Sequence, residues 1–544
     1  MRVAVLALLL LVPAAAQDDK DGQNPIDRTL EKLWADKGIA PAARSDDAEF
    51  LRRVTLDLTG HIPTVEEARA FLAKPDRPKK IAELLKSDAF LDFWSTRLTN
   101  AMIGYQRDFE YMTNRAGFQE WIREQLASDR GWDQIVSDVL TATGEPRKRP
   151  QASFLSQFLE FQDERKYGIK VEDLTGKIAT TFLGVRLRCA QCHDHPFDKY
   201  TQGDFYGMVA FFKKTGAQGA AGGDLGQTFA VKTFRQPLEY KFEHWPNPLE
   251  PQFLDGPPPE TENLRVEFTE VLTRHDQFAR AFVNRVWAYM FGRGVVDPYD
   301  DFSPRNRPVA PEMLEEMLAQ ARANKYSVRW LVGTIAASNA YQRSSRATPG
   351  QDAAAQEKHF ARSRLRPLTP EQMWNAIDRA SDLQGCAQGG IDSTALRRMG
   401  GVYQGGSNTT YDMLRNWFLR MLVRTANPDA PSSLGQYTAN VQQVLYAMNA
   451  ESPLWSGASP KGEGRLARLI RNFTSMRGLI DEIFVASLGR PPTKAEYDGM
   501  REHVKKAELA GEQRTAKEKE ALVFDACRDI FWAILNSDEF IFNH

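Results

Sequence analysis

FLRRVTLDLTGHIPTVEEARAFL, residues 50–72, carries the pattern that decides the fold class. Phe50, Val54 and Leu58 recur at intervals of four, the spacing that lines one face of an α-helix. Thr64 stands where an N-cap is needed, and Glu67 three residues on completes a capping box, so a second helix starts there. The i, i+3, i+4 signature returns in IAELLKSDAFLDFWSTRLTNAM (81–102) and FQEWIREQLASD (118–129). It returns again in FARAFVNRVWAYMFG (278–292), which stops at Gly292, and in two helices within residues 311–344. Residues 26 to about 212 therefore read as helical nearly throughout, as does the chain from about Asn263 onward.

Between these blocks the character changes. TGAQGAAGGDLGQ (215–227) is Gly-rich, FAVKTFRQPLEYKF (229–242) has β-type residues, and WPNPLEPQFLDGPPPE (245–260) is Pro-rich. The stretch reads as a linker with one or two hairpins, without the strand-then-helix context that would make its glycines a phosphate cradle. A second Gly-rich region runs from Gly385 to about Ser407, and VKKAELAGEQRTAKEKEA (504–521) reads as a solvated helix face or loop. The expected fold is mainly α: two helical lobes joined by a Gly/Pro-rich linker with a small β element. The expected divisions are residues 26–212, 213–262 and 263–544.

Lys plus Arg number 70 against 71 Asp plus Glu, a formal net charge of −1. That balance argues against nucleic acid as a partner, since coating a polyanion needs a basic excess. Met1-Arg2, an apolar run from Val3 to Val12 and Ala14-Ala15-Ala16 match a signal peptide at residues 1–16 cleaved near Ala16. The expectation is export to the periplasm or beyond, with no transmembrane span in the mature chain.

An exported chain can hold disulfides, yet it has only four cysteines, Cys189, Cys192, Cys386 and Cys527, too few to frame the fold. Their placement says more. Cys189-Ala-Gln-Cys192-His193 is a C-x-x-C-H motif, whose chance occurrence with eight histidines in the chain is roughly three in ten thousand. On a helix, positions i, i+3 and i+4 share a face, so both thiols and the imidazole would point one way. A c-type haem needs this: two thioether bonds and His193 on the iron. Pro196 would then end the helix. Met208 and His195 are the nearest second iron ligands, although His195 is too close in sequence to reach the far face. Haem c also calls for an apolar cavity beside His193. The competing readings are zinc or another transition metal held by Cys189, Cys192, His193 and His195, a local disulfide, or buried inert thiols.

Around this motif, FLGVRLRCAQCHDHPFDKYTQGDFYGMVAFF (182–212) resembles the signature of a cytochrome-like domain of unknown function (1549) found in large exported planctomycete proteins. Residues 50–72 resemble the opening of the same domain. FARAFVNRVWAYMFGRGVVDPYDDFSPRN, RLRPLTPEQMWNAI, ASLGRPPTKAEY and WAILNSDEFIFNH resemble its usual partner, a planctomycete-specific domain of unknown function (1553). The resemblance spans nearly the whole mature chain and implies export, a two-domain build and a c-type haem, with no established reaction. Many relatives carry a further cytochrome c domain with its own C-x-x-C-H; this chain has a single such motif.

Two further constellations stand out. Asp194, His195, Asp198, Lys199 and Tyr200 crowd around Pro196, either as a second shell orienting an imidazole, as an acid/base cluster, or as a polar turn satisfying backbone groups. In the C-terminal half, Asn284 and Arg285 precede a loop stiffened by Pro298, Pro304 and Pro308, carrying Arg293, Asp297, Asp300, Asp301, Ser303, Arg305 and Asn306. This is either an ion-pair network or a polar site. The leading expectation is an exported c-type-haem protein acting in electron transfer with a periplasmic redox partner. The alternative is an exported metal-stabilised binding or hydrolytic protein acting on an extracellular polymer.

Overall fold

A computed structural model of the chain describes residues 24–104, 113–163, 166–219, 229–240, 242–382, 415, 418–419, 464–472, 475–512 and 514–544. The expected signal peptide, the Gly385–Ser407 stretch and Cys386 lie outside the described residues. The first part of the chain builds α1 (Pro25–Lys37), α2 (Asp47–Thr59), α3 (Val65–Ala73), α4 (Arg77–Lys86), α5 (Asp88–Met102), α6 (Arg115–Ala127) and α7 (Trp132–Thr141). The capping box of α3 forms as its residue types require: the Glu67 backbone N–H donates to Thr64 Oγ1 at 3.1 Å, and the Thr64 N–H donates to Glu67 Oε2 at 2.9 Å.

Helix does not continue throughout residues 26–212. Strands β1 (Leu159–Asp163) and β2 (Lys166–Ile169) form a hairpin that joins β3 (Thr215–Gly219) and β4 (Phe229–Thr233) in one antiparallel sheet of order β1-β2-β3-β4. Gly168 lies opposite Gly216, and Ala217 opposite Val231. The small β element of the linker is thus half of a sheet whose other half sits inside the first domain. Strands this short carry no periodicity that separates them from helix ends, and the strand that joins the hairpin to the rest of the sheet, β3, is remote in sequence. Between the halves lie α8 (Val171–Ile178), a single π-helical turn (Ala179–Leu183), a 3₁₀ turn (Leu187–Gln191) and α9 (Gln202–Ala210).

The second part builds α10 (Leu264–Arg274), α11 (Asp276–Phe291), α12 (Pro311–Ala323), α13 (Val328–Ala337) and α14 (Pro370–Ser381). It continues with α15 (Met476–Leu488), α16 (Lys494–Ala510) and α17 (Ala516–Leu535). The protein is mainly helical in two lobes, each with its own hydrophobic core. The cores do not divide at the linker: one runs from Ile26 to Ala361 with Val485 and Ala486, the other from Leu368 to Phe540 with Leu56 and Ile62. The reason is α11, where Phe278, Val283 and Trp287 are all fully buried. A helix buried on most of its faces must be wrapped on most of them, and each such apolar side chain contributes about 1.5–3 kcal/mol when buried.

Helix α2 belongs to both lobes. Val54 and Leu58 pack in the first core and Leu56 in the second. With both faces covered, its charged residues are buried too and must find partners. Arg52 donates to the carbonyls of Ser487 and Phe540, and Arg53 to those of Tyr341, Arg343 and His544. Fully buried Asp57 accepts from the Tyr341 hydroxyl at 2.7 Å, the Asn543 amide at 2.8 Å and the Arg366 guanidinium. These bonds tie α2 to residues 487 and 540–544. Among the described residues, no helix is long and apolar enough to cross a membrane.

Candidate functional site

The C-x-x-C-H segment is a surface turn. Leu187 and Ala190 are fully buried and anchor its inner side, which leaves Cys189 and Cys192 outside as exposed free thiols. The helix expected here is a 3₁₀ turn that ends at Gln191, ahead of Pro196. Cys189 lies within this turn and Cys192 caps its end. His193 lies beyond the turn and is also exposed.

The two histidines differ in what their rings can do. A carbonyl oxygen only accepts, so the 2.7 Å contact between His193 Nδ1 and the Asp194 carbonyl makes Nδ1 the donor, which in the neutral ring leaves the lone pair on Nε2. His195 is the reverse: its Nδ1 accepts the Phe197 backbone N–H at 3.2 Å, which puts its proton on Nε2. Asp194 and Asp198 satisfy the backbone instead of orienting a ring, accepting from the N–H groups of Gln202 (2.8 Å) and Lys199 (2.7 Å). Lys199 reaches Asp255 of the Pro-rich segment at 3.6 Å. Tyr200 is pushed up to about 12 by burial, then by the neighbouring Asp198 carboxylate.

Met208, one of the two nearest second ligands in the sequence, is fully buried in the first core. Other residues come close that the sequence did not nominate. The Gln202 side-chain amide donates both to the Gln191 carbonyl (3.0 Å) and to the His244 carbonyl (2.9 Å), drawing the 242–245 segment against the turn. Trp245 stacks on Tyr206 at 4.9 Å, and its indole nitrogen is buried without a hydrogen-bond partner among the described residues. Burial raises the Tyr206 hydroxyl pKa, as does its 2.7 Å bond to Glu172. No local spacing signals these neighbours, because they lie dozens of residues apart.

The polar constellation of the C-terminal half splits in two. Arg285 donates to the carbonyls of Thr180 and Thr181 at the π-helical turn, and Asn284 of α11 donates to the carbonyls of Val296 and Tyr299 in the loop that follows. Arg293 faces Asp297 at 3.8 Å. Asp300, Asp301 and Arg305 instead reach the C-x-x-C-H turn. Arg186 pairs with buried Asp300 at 3.0 Å and with Asp301 at 3.8 Å, and the Arg305 guanidinium lies 3.3 Å over the Phe197 ring. Two regions read separately in the sequence are one place in the fold.

Residues 25–217 match the family model PSCyt2, described as protein of unknown function (DUF1549), and residues 264–504 match PSD1, protein of unknown function (DUF1553). The chain is a DUF1549–DUF1553 protein. The DUF1549 domain supplies the C-x-x-C-H turn, and the DUF1553 domain supplies the loop that packs on it. No curated protein and no solved structure matches the chain.

The donor set fits a c-type haem: two free thiols one 3₁₀ turn apart, and an imidazole whose outer nitrogen keeps its lone pair. The surroundings differ from the expected apolar cavity, because the DUF1549 turn lies open on the surface. A cleft of about 950 Å³ lies elsewhere, among Asp46, Leu72, Leu365, Arg490, Phe542 and His544, and shares no residue with the turn. Among the described residues, no group of three or more His, Cys, Asp or Glu is placed to hold a metal ion.

Proposed function

We propose that this DUF1549–DUF1553 protein is an exported c-type-haem protein that passes single electrons to or from a periplasmic partner. The observation that carries the reading is the contrast between the two imidazoles beside the free thiols. His193 is held in the tautomer that leaves Nε2 open, and His195 is not. Cys189 and Cys192 would each add S–H across a vinyl double bond, sulfur to one carbon and hydrogen to the other. His193 Nε2 would bind the iron, its ring oriented by the Asp194 carbonyl as metal-bound histidines usually are. When bound, the haem supplies a one-electron couple.

The open turn sets the expected character of the site. Solvent exposure is one of the levers on a haem's potential, and water around an exposed haem favours the more charged ferric form, so a low potential is expected. An exposed edge also lets a partner approach closely. The signal-peptide pattern at residues 1–16 supports the same reading, since c-type attachment follows export. A zinc site drawing on His195 would have to break the Phe197 N–H bond to Nδ1 before Nε2 could ligate.

The test is production of the full chain in a periplasm with haem-maturation machinery, followed by its reduced spectrum in alkaline pyridine. A thioether-haem spectrum at one haem per chain is expected, lost in the C189S/C192S double variant. A haem-free chain carrying stoichiometric zinc would overturn the proposal.

A further inference from the structure

The DUF1553 loop meets the segment that carries the C-x-x-C-H turn on both sides of the motif. Before the motif, Arg186 pairs with Asp300 and Asp301. Beside that pair, the Phe302 backbone N–H donates to the Gly184 carbonyl at 2.8 Å. Gly184 has φ +64°, and a Cβ there would lie 2.8 Å from the Phe302 ring, so the glycine serves both the left-handed backbone and the close approach. After the motif, Phe197 is 51% exposed and its ring lies under Arg305, which has no carboxylate partner among the described residues. Cys189, Cys192 and His193 lie between these grips with their reactive atoms free.

We propose that residues 300–305 of the DUF1553 domain position the haem-attachment turn, so that the two domains share one site. The turn itself is a single 3₁₀ turn followed by bends, held in its middle by its own domain: Gln202 bonds the Gln191 carbonyl and the Asp194 carboxylate, and the Tyr200 carbonyl accepts the His195 N–H. A segment of that kind opens readily unless something outside it holds both ends. Asp300, Phe302 and Arg305 do so, as positioning residues that touch neither the thiols nor the imidazole. This reading explains why the two domains occur in one chain, and it gives the alternating acids and arginines of the loop a purpose that an isolated ion-pair network lacks.

The proposal rests on the haem reading for one of its two measurements only. Arg305→Ala removes an exposed side chain, so the full chain should fold; Arg280→Ala, which loses a surface pair with Glu315, is the control. In haem-free protein, backbone hydrogen exchange across residues 187–200 should be about three- to fivefold faster in R305A, the size of an exposed cation–π contact, and unchanged in R280A. In the haem-loaded protein, the reduction potential should shift in R305A and not in R280A. Unchanged exchange overturns the proposal. So does faster exchange with an unmoved potential, which would make the contact merely structural. If the wild-type chain takes up no haem, the function proposal fails, and exchange alone decides whether the loop grips the turn.

Discussion

Two polar clusters of this protein are built on opposite terms. Around Asp57, ions sit inside the protein between the two lobes, and each carboxylate oxygen is bonded: Oδ1 to Asn543, and Oδ2 to Tyr341 and Arg366. Around His193 the polar groups lie on the surface, and those that matter carry nothing: two free thiols and one imidazole nitrogen. Buried charges must be saturated because desolvation punishes any that are not. Exposed ones can be left open, because water fills the gap at little cost. The first arrangement holds the protein together; the second leaves bonding capacity for something that arrives later.

The largest effect is expected where saturation is broken. Asp57→Ala strands the Arg366 guanidinium and the Asn543 amide in the interior and should lower unfolding free energy by about 3–5 kcal/mol, read from urea denaturation. A loss under about 1 kcal/mol would show that the cluster relaxes to admit water.

Next comes His61, just past the end of α2. Its imidazole is half-buried, with Nδ1 lacking a hydrogen-bond partner among the described residues, and desolvation, then the Arg379 and Arg415 charges, lower its pKa to about 4; the Glu67 carboxylate opposes them. Unfolded, the ring takes a proton below about 6.5. Between pH 6.5 and 4 the unfolded state therefore holds the extra proton, and stability falls as pH drops through that window, by up to about 3 kcal/mol. His61→Asn should flatten this part of the stability–pH curve; an unchanged slope would assign the acid sensitivity to other groups.

Gly184→Ala should cost about 1–2 kcal/mol, because an L-residue resists the left-handed backbone there. The smallest effect belongs to the surface site. In haem-free protein, C189S/C192S should move stability by no more than about 0.5 kcal/mol, the usual range for exposed positions away from special features. A loss above about 2 kcal/mol would mean that the thiols are structural.

The sequence was legible where the physics is local. The Thr64–Glu67 capping box, the stop of α11 at Gly292 and the non-helical stretch after it are as its residues imply. It was misleading at LEFQD and KYGI, which pair with each other as a hairpin whose second strand is covered by β3, some 50 residues away. It was also incomplete at α2: the stripe Phe50, Val54, Leu58 gives one buried face, while the burial of Arg52, Arg53 and Asp57 on the others depends on the second lobe. At the candidate site, Cys189, Cys192 and His193 could be named from spacing alone. That Arg186 meets Asp300, 114 residues on, leaves no trace in local pattern.

The most direct measurement is the mass of the proteolytic peptide spanning residues 189–193, taken from chain matured in a haem-competent periplasm. The account predicts that peptide carrying one haem through both sulfurs. The same peptide with two unmodified thiols, or with Cys189 and Cys192 joined to each other, would contradict it.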